Sequence, residues 1–324
     1  MRLFTCPACG ATAYFSNLRC LCGAELRFDP DAHAFVNDGA PCANREAIGC
    51  GWVADGPAGL CRSCAMTEVA PDTFHRENLA LWARAEAAKR WVLATLGRWG
   101  WFSAADEGPA PRFHLLSEMT AYGPARVVMG HESGLVTINL AEADPVETVR
   151  RREAFSEALR TMTAHFRHEI AHFLFERLDA ARPGFRARFE ALFGDPEADY
   201  GAALRRHYDL GPPADWNAKH ISPYASSHPH EDWAETAAHV MHLADMLDSA
   251  LSAGLARPPF DNLGYDAYAE TGSGALLDAA AEYGVALNHV NRSMGLGDIY
   301  PFVHSPVVRE KLIAAHGWIS GAAG

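Results

Sequence analysis

The chain has 324 residues, 49% of them hydrophobic and 21% charged, an ordinary balance for a folded protein with room for a buried core. Its formal net charge of −12 argues against nucleic acid or an anionic membrane as the main partner. No apolar run approaches the roughly 20 residues of a membrane span, and the opening MRLFTCPACG meets cysteines before a signal core can form, so the expected location is cytoplasmic.

All eight cysteines lie between Cys6 and Cys64, and the 260 residues after them contain none. Such crowding marks a small domain, residues 1–67, held by metal or disulfides, and the expected location favours metal. The spacing is Cys6-x2-Cys9, Cys20-x-Cys22, Cys42-x7-Cys50 and Cys61-x2-Cys64. Four thiolates at roughly 2.3 Å complete one tetrahedral zinc, so eight imply two closed structural sites. Local compactness favours sequential grouping: Cys6, Cys9, Cys20 and Cys22, then Cys42, Cys50, Cys61 and Cys64. A cross-braced pairing is the alternative, and iron in a rubredoxin-like cage competes with zinc. Residues 1–70 carry five basic side chains against seven acidic ones, with no basic stripe to neutralise phosphates. A structural role or docking of a protein partner is expected of this module.

A helix is predicted over 76–96, with Leu79, Trp82, Leu93 and Leu96 as apolar contacts and Gly97 as its stop. It opens a helical linker, 68–112, ahead of a main domain, 113–320. GLVTINL (134–140) reads as a strand whose edge could pair with an extended peptide. Asp144-Pro145-Val146-Glu147 has the form of a capping box with proline at the first helical position. One long helical pattern then runs to about 180, carrying Phe155, Leu159, Met162, Phe166 and Phe173 on one face, until ARPG (181–184) ends it.

That helix contains His168-Glu169-Ile170-Ala171-His172. Residues four apart share a helix face, so both imidazoles can reach one zinc, while Glu169 can reach a water beside the metal. Phe175 and Leu178 stand where a metzincin needs glycine and histidine, which excludes that subclass. A third ligand is still required. Trp233, Ala237, Val240, Ala244, Leu247 and Leu251 form the apolar stripe of a second helix, which opens at Pro229. Glu231, Glu235 and His242 run along another of its faces. Glu231 is the expected third ligand, with Glu235 accepting a hydrogen bond from a ligand imidazole and fixing its tautomer. Glu235 as the direct ligand, or His228 or His230 in its place, are the rivals.

CPACG, YFSNLRCLCG, FRHEIAHFLFERL, SPYASSHPHEDWAETAAHVMH and NRSMGLGDIYPF together resemble the bacterial zinc-binding metallopeptidases with an N-terminal zinc ribbon, over roughly residues 1–318. The resemblance implies an α+β protein: a small four-cysteine, rubredoxin-like zinc ribbon, then a mainly helical zincin-like domain of gluzincin type with a small sheet. The stretch from Tyr224 to Glu235 is also similar to the active-site segment of lethal factor protease. That similarity makes Glu231 the ligand, Glu235 its supporting neighbour and Tyr224 a donor to the transition state. The family pattern carries an aromatic residue at position 230, where this chain has His230.

The reading is a zinc metallopeptidase with one catalytic and two structural zinc ions, acting on a peptide or protein substrate, with Glu169 as general base. The alternatives are a zinc-stabilised protein-binding module without proteolysis, and a hydrolase of another amide. Asn291, Arg292 and Asp298 in the NRSMGLGDIYPF segment are expected either to line a subsite or to form a buried turn held by Gly295, Gly297 and Pro301.

Overall fold

A computed structural model describes residues 1–155, 159–255, 265–299 and 303–321. It is an α+β fold in two compact units: Met1–Phe166 with a return segment from Asp248, and Arg167–Leu247 with the C-terminal helices.

The first unit begins with two small hairpins. β1 (Phe4–Thr5) pairs with β2 (Thr12–Ala13) around a turn that carries Cys6 and Cys9. β3 (Arg27–Asp29) pairs with β4 (Ala34–Val36), setting Phe28 at the centre of a ring cluster with Phe4, Phe15, Phe35 and Trp52. Two single-turn helices follow, α1 (Arg45–Ile48) and α2 (Arg62–Ala65). Gly10 (φ +75°) and Gly23 (φ +89°) each close a turn, donating the N–H at 2.9 Å to the carbonyl of Cys6, four residues back, and of Cys20, three residues back. A side chain at either φ would be strained, and glycine is not.

β5 (Thr67–Val69) leads into α3 (Arg76–Gly97), close to the predicted span. Leu93 and Leu96 are buried as expected, whereas Leu79 is exposed. In mid-helix α3 buries a charge pair: Lys89 Nζ lies 3.0 Å from Glu86 Oε1, which accepts from Thr67 Oγ1 at 2.6 Å. An apolar tally misses such a pair, because only its mutual satisfaction makes its burial tolerable.

The strands that follow are β6 (Arg112–Leu116), a two-residue hairpin of β7 (Met119–Thr120) and β8 (Gly123–Pro124), β9 (Gly130–Glu132) and β10 (Leu135–Asn139). The main sheet has the order β5-β6-β10-β9, with β10 parallel to β6 and antiparallel to β9. Phe113, Leu115, Val136 and Ile138 alternate onto one fully buried face. The predicted strand therefore exists, but Leu135–Thr137 on its expected free edge are paired. β9 covers it, through a short GHE segment too brief and too polar to be read as a strand beforehand.

The single long helix expected from 145 to 180 is two helices. α4 spans Pro145–Phe155, residues 159–161 are not helical, and α5 (Met162–Ala181) begins afresh after Thr161, whose Oγ1 accepts from the Ala164 N–H at 3.1 Å. The side chain of Phe155 lies outside the described residues. Glu142 organises the junction: its buried carboxylate takes hydrogen bonds from Arg151 (2.6 Å), Arg160 (2.7 Å) and His165 (3.2 Å). Burial alone would raise its pKa, but these hydrogen bonds and the charge beside it hold it well below the ordinary carboxylate range. A depressed pKa stabilises the fold above the unfolded value of about 4.3 and loses that contribution as pH falls through the folded value. Glu142→Gln is thus expected to cost about 3 kcal/mol at pH 7, with the gap from wild type narrowing below about pH 4. Denaturant melts at the two pH values check this; a gap that does not change with pH would refute it.

The second unit continues with α6 (Phe185–Phe193), α7 (Tyr200–Leu210), α8 (Pro229–Ser252), α9 (Ser273–Ser293) and α10 (Pro306–Ile319). Trp233, Ala237, Val240, Ala244 and Leu247 on α8 are fully buried, as their spacing predicts. Phe185, Phe189 and Phe193 of α6 pack on Trp233, and Trp318 of α10 completes the cluster. Lys311 donates to Asp232 Oδ2 at 2.5 Å and to the Lys219 carbonyl at 2.8 Å, tying α10 to the start of α8. The segment from Asn291 is a hydrogen-bonded turn, but an exposed one. Arg292 and Asp298 pair with each other at 2.5 Å and Asn291 bonds the Gly297 carbonyl, while residues 300–302, Pro301 among them, lie outside the described residues. No described helix is long and apolar enough to cross a membrane.

Candidate metal centre

α5 and α8 are pinned together at two levels. Trp233 Nε1–H donates to the Ala171 carbonyl at 2.7 Å, and Arg167 donates to His242 Nδ1 and Asp245 Oδ2, each at 2.5 Å. Contacts descend one helix as they climb the other, so the two run antiparallel. His242 is thereby engaged by Arg167 and not by the histidine motif.

Between the pins, His168 Nε2 lies 3.0 Å from Glu231 Oε2 and 3.2 Å from His172 Nε2, with His172 Nε2 3.6 Å from the same oxygen. Bonds of about 2.0–2.2 Å from nitrogen and oxygen to a tetrahedral zinc require ligand-to-ligand edges of roughly 3.3–3.6 Å. The three donor atoms stand close to that triangle. Glu235 meets His168 on the opposite ring nitrogen: Nδ1–H donates to Glu235 Oε1 at 2.8 Å. With that proton committed, the Nε2 lone pair faces Glu231 Oε2, an acceptor against an acceptor, unless a proton or a metal ion lies between them. Accordingly, burial would lower the His168 pKa, but Glu231 and Glu235 raise it well above the usual histidine range. Burial would raise that of Glu231, and the two imidazoles pull it well down. The donor set fits a zinc ion.

Each supporting group is itself held. Ser222 Oγ donates to Glu235 Oε2 at 2.7 Å and accepts from the Ala225 N–H at 3.1 Å. The Tyr200 hydroxyl, at the start of α7, donates to Glu231 Oε1 at 2.6 Å. One oxygen of Glu231 is thus occupied, and the other faces the imidazoles. Tyr200 lies outside every motif read from the sequence, and Ser222, the first residue of the SPYASSHPHEDW stretch, was assigned no role there. Supporting hydrogen bonds of this kind are worth about 10–100-fold in metal affinity. Tyr200→Phe should weaken metal binding at this centre by that factor and leave the thiolate sites unchanged, as read by competition with a chromophoric chelator. An unchanged affinity would show the contact to be incidental.

The rival ligands are used elsewhere. His228 Nδ1 accepts the His230 N–H at 3.1 Å, so its Nε2–H donates to the Ala198 carbonyl at 3.0 Å. His230 packs edge-on against Phe175 (4.6 Å between centroids) and stacks on His228, and burial pushes its pKa down to about 4. Its ring is packed among aromatic neighbours rather than turned to the donor triangle.

Glu169 is buried on α5. Tyr224 sits on a short turn with its ring 6.1 Å from that of His168. Burial raises the pKa of both Tyr224 and Tyr200, and the charges of Glu231 and Glu169 add to it, so these four groups share one neighbourhood.

In the N-terminal module, Cys6, Cys9, Cys20 and Cys22 form one cluster and Cys42, Cys50, Cys61 and Cys64 another, the sequential grouping. Sulfur separations are 3.6 and 3.9 Å in the first and 3.5 and 3.8 Å in the second. A tetrahedron with bonds of about 2.3 Å has edges of about 3.8 Å, so both clusters suit zinc-ribbon-like sites.

A family model described as "putative zinc-binding metallo-peptidase" matches residues 78–318. The chain belongs to this family. Uncharacterized proteins of Mycobacterium tuberculosis and Mycobacterium bovis are 41% identical to it over 329 residues, covering 98% of this chain and 94% of theirs. No solved structure matches it.

Proposed function

We propose that the protein is a gluzincin-type zinc peptidase, with His168, His172 and Glu231 holding the catalytic ion and Glu169 as general base. The observation that carries this reading is the convergence of three donor atoms within 3.0–3.6 Å beside a buried glutamate. Zinc bound there supplies a Lewis acid for the scissile carbonyl and lowers the pKa of a water toward about 7. Glu169 removes a proton from the attacking water as the new C–O bond forms, then delivers it to the amine nitrogen as the C–N bond breaks. Tyr224 donates a hydrogen bond to the oxygen that gains charge. Glu235, braced by Ser222, keeps His168 in the tautomer whose Nε2 can bind metal.

The two thiolate clusters take a structural role, each closed by four sulfurs with no position left for substrate. A peptide library tests the main reading, incubated with zinc-loaded protein and with protein after mild chelation. Cleavage that disappears on chelation and returns with zinc is expected; cleavage indifferent to chelation, or none from loaded protein, would reject it.

A further inference from the structure

Just past Tyr224, α7 and the turn before α8 line a solvent-open cavity of about 180 Å³, with Arg206 at its exposed side. Arg206 and His207 line it from α7, Ser226 and Ser227 from the turn, and Gly211 and Pro213 close one end. The space is below the roughly 300–1,000 Å³ of a drug-sized ligand site, and suits a single side chain or chain end.

Two of its polar groups, on Arg206 and Ser227, lack a protein counterpart. Among the described residues Arg206 makes no ion pair, and the buried Ser227 Oγ has no hydrogen-bond partner. The Ser226 hydroxyl is already engaged, donating to the Pro223 carbonyl at 2.6 Å. Burial lowers the pKa of His207, which leaves the guanidinium as the one fixed charge in the lining. One planar cation beside an unsatisfied hydroxyl matches one carboxylate. The Tyr224 ring links this cavity to the metal centre, with centroids 5.9 Å from His207 and 6.1 Å from His168. The separation is no more than roughly 12 Å, the span of about four extended residues.

We propose that this cavity is a subsite for a substrate carboxylate, held by Arg206 and Ser227, so that the preferred peptides carry an acid group within a few residues of the scissile bond. The proposal rests on the peptidase reading above. The carboxylate comes from an acidic side chain or from the peptide's C-terminus, and recognition of it is local, against a net charge of −12.

The test measures binding to the zinc-loaded Glu169→Gln protein by calorimetry. The probes are peptide pairs that differ only as glutamate against glutamine, or free C-terminus against amide, together with N-acetylglutamate as a small carboxylate. One of the two pairs should differ by about tenfold in Kd, and that pair identifies the source. Arg206→Gln should reduce the ratio to near one and abolish N-acetylglutamate binding. Arg206→Lys should recover part of it, and Arg205→Gln, outside the cavity, should leave it alone. Equal affinities within both pairs, or a ratio that survives Arg206→Gln, would overturn the subsite while leaving the peptidase reading standing. N-acetylglutamate binding that depends on Arg206, in a protein that cleaves no peptide, would uphold the carboxylate site and remove the peptidase.

Discussion

Glu169→Gln is expected to lower kcat by about a thousandfold while the protein keeps its full metal content and its melting temperature. Glutamine matches the shape of the buried side chain but cannot accept the proton that the attacking water must lose. The donor triangle of His168, His172 and Glu231 does not include residue 169, so metal binding should be untouched. KM should change little, since the loss falls on the transition state and not on substrate binding. Steady-state kinetics with metal analysis on the same preparations check the prediction. Activity within about tenfold of wild type would mean that another group is the base, and metal loss would mean that Glu169 acts on the ion instead.

Cys61→Ser should have the largest effect on stability. Cys61 is fully buried, its sulfur stands 3.5 Å from that of Cys50, and it caps α2 by accepting the Cys64 N–H at 3.4 Å. Structural zinc sites contribute apparent binding free energies of order 10 kcal/mol, comparable with the roughly 5–15 kcal/mol net stability of a whole domain. The variant should therefore lose one zinc per chain, and its N-terminal module should be digested rapidly in limited proteolysis. Cys9→Ser, at an exposed position of the other cluster, offers a milder comparison. Normal protease resistance and full zinc content in Cys61→Ser would show that this cluster does not support the fold.

What could be read from the amino-acid order was local. The grouping of the cysteines, the i,i+4 histidines and the buried stripe of α8 all follow from local spacings. Each feature that escaped depends on distant partners. Thr161 starts a new helix where the apolar period ran on unbroken, because Glu142 draws Arg151, Arg160 and His165 together across the junction. β10 lost its expected edge to β9, a three-residue segment with no strand-like composition. Lys89 and Glu86 are buried because they satisfy each other, while Leu79, apolar and well spaced, stays exposed. Tyr200 reaches Glu231 from a helix that carries no motif at all. Glu231 stood out because it lies on a strongly periodic helix, and proposing it as the ligand ahead of Glu235 rests on the geometry around both nitrogens of His168.

The most direct test is the metal count of Glu231→Ala beside wild type, by mass spectrometry of extensively dialysed protein. If one oxygen of Glu231 completes the set begun by the two imidazoles, wild type holds three zinc ions per chain and the variant two, with both thiolate sites intact. Three ions retained in the variant would contradict the account.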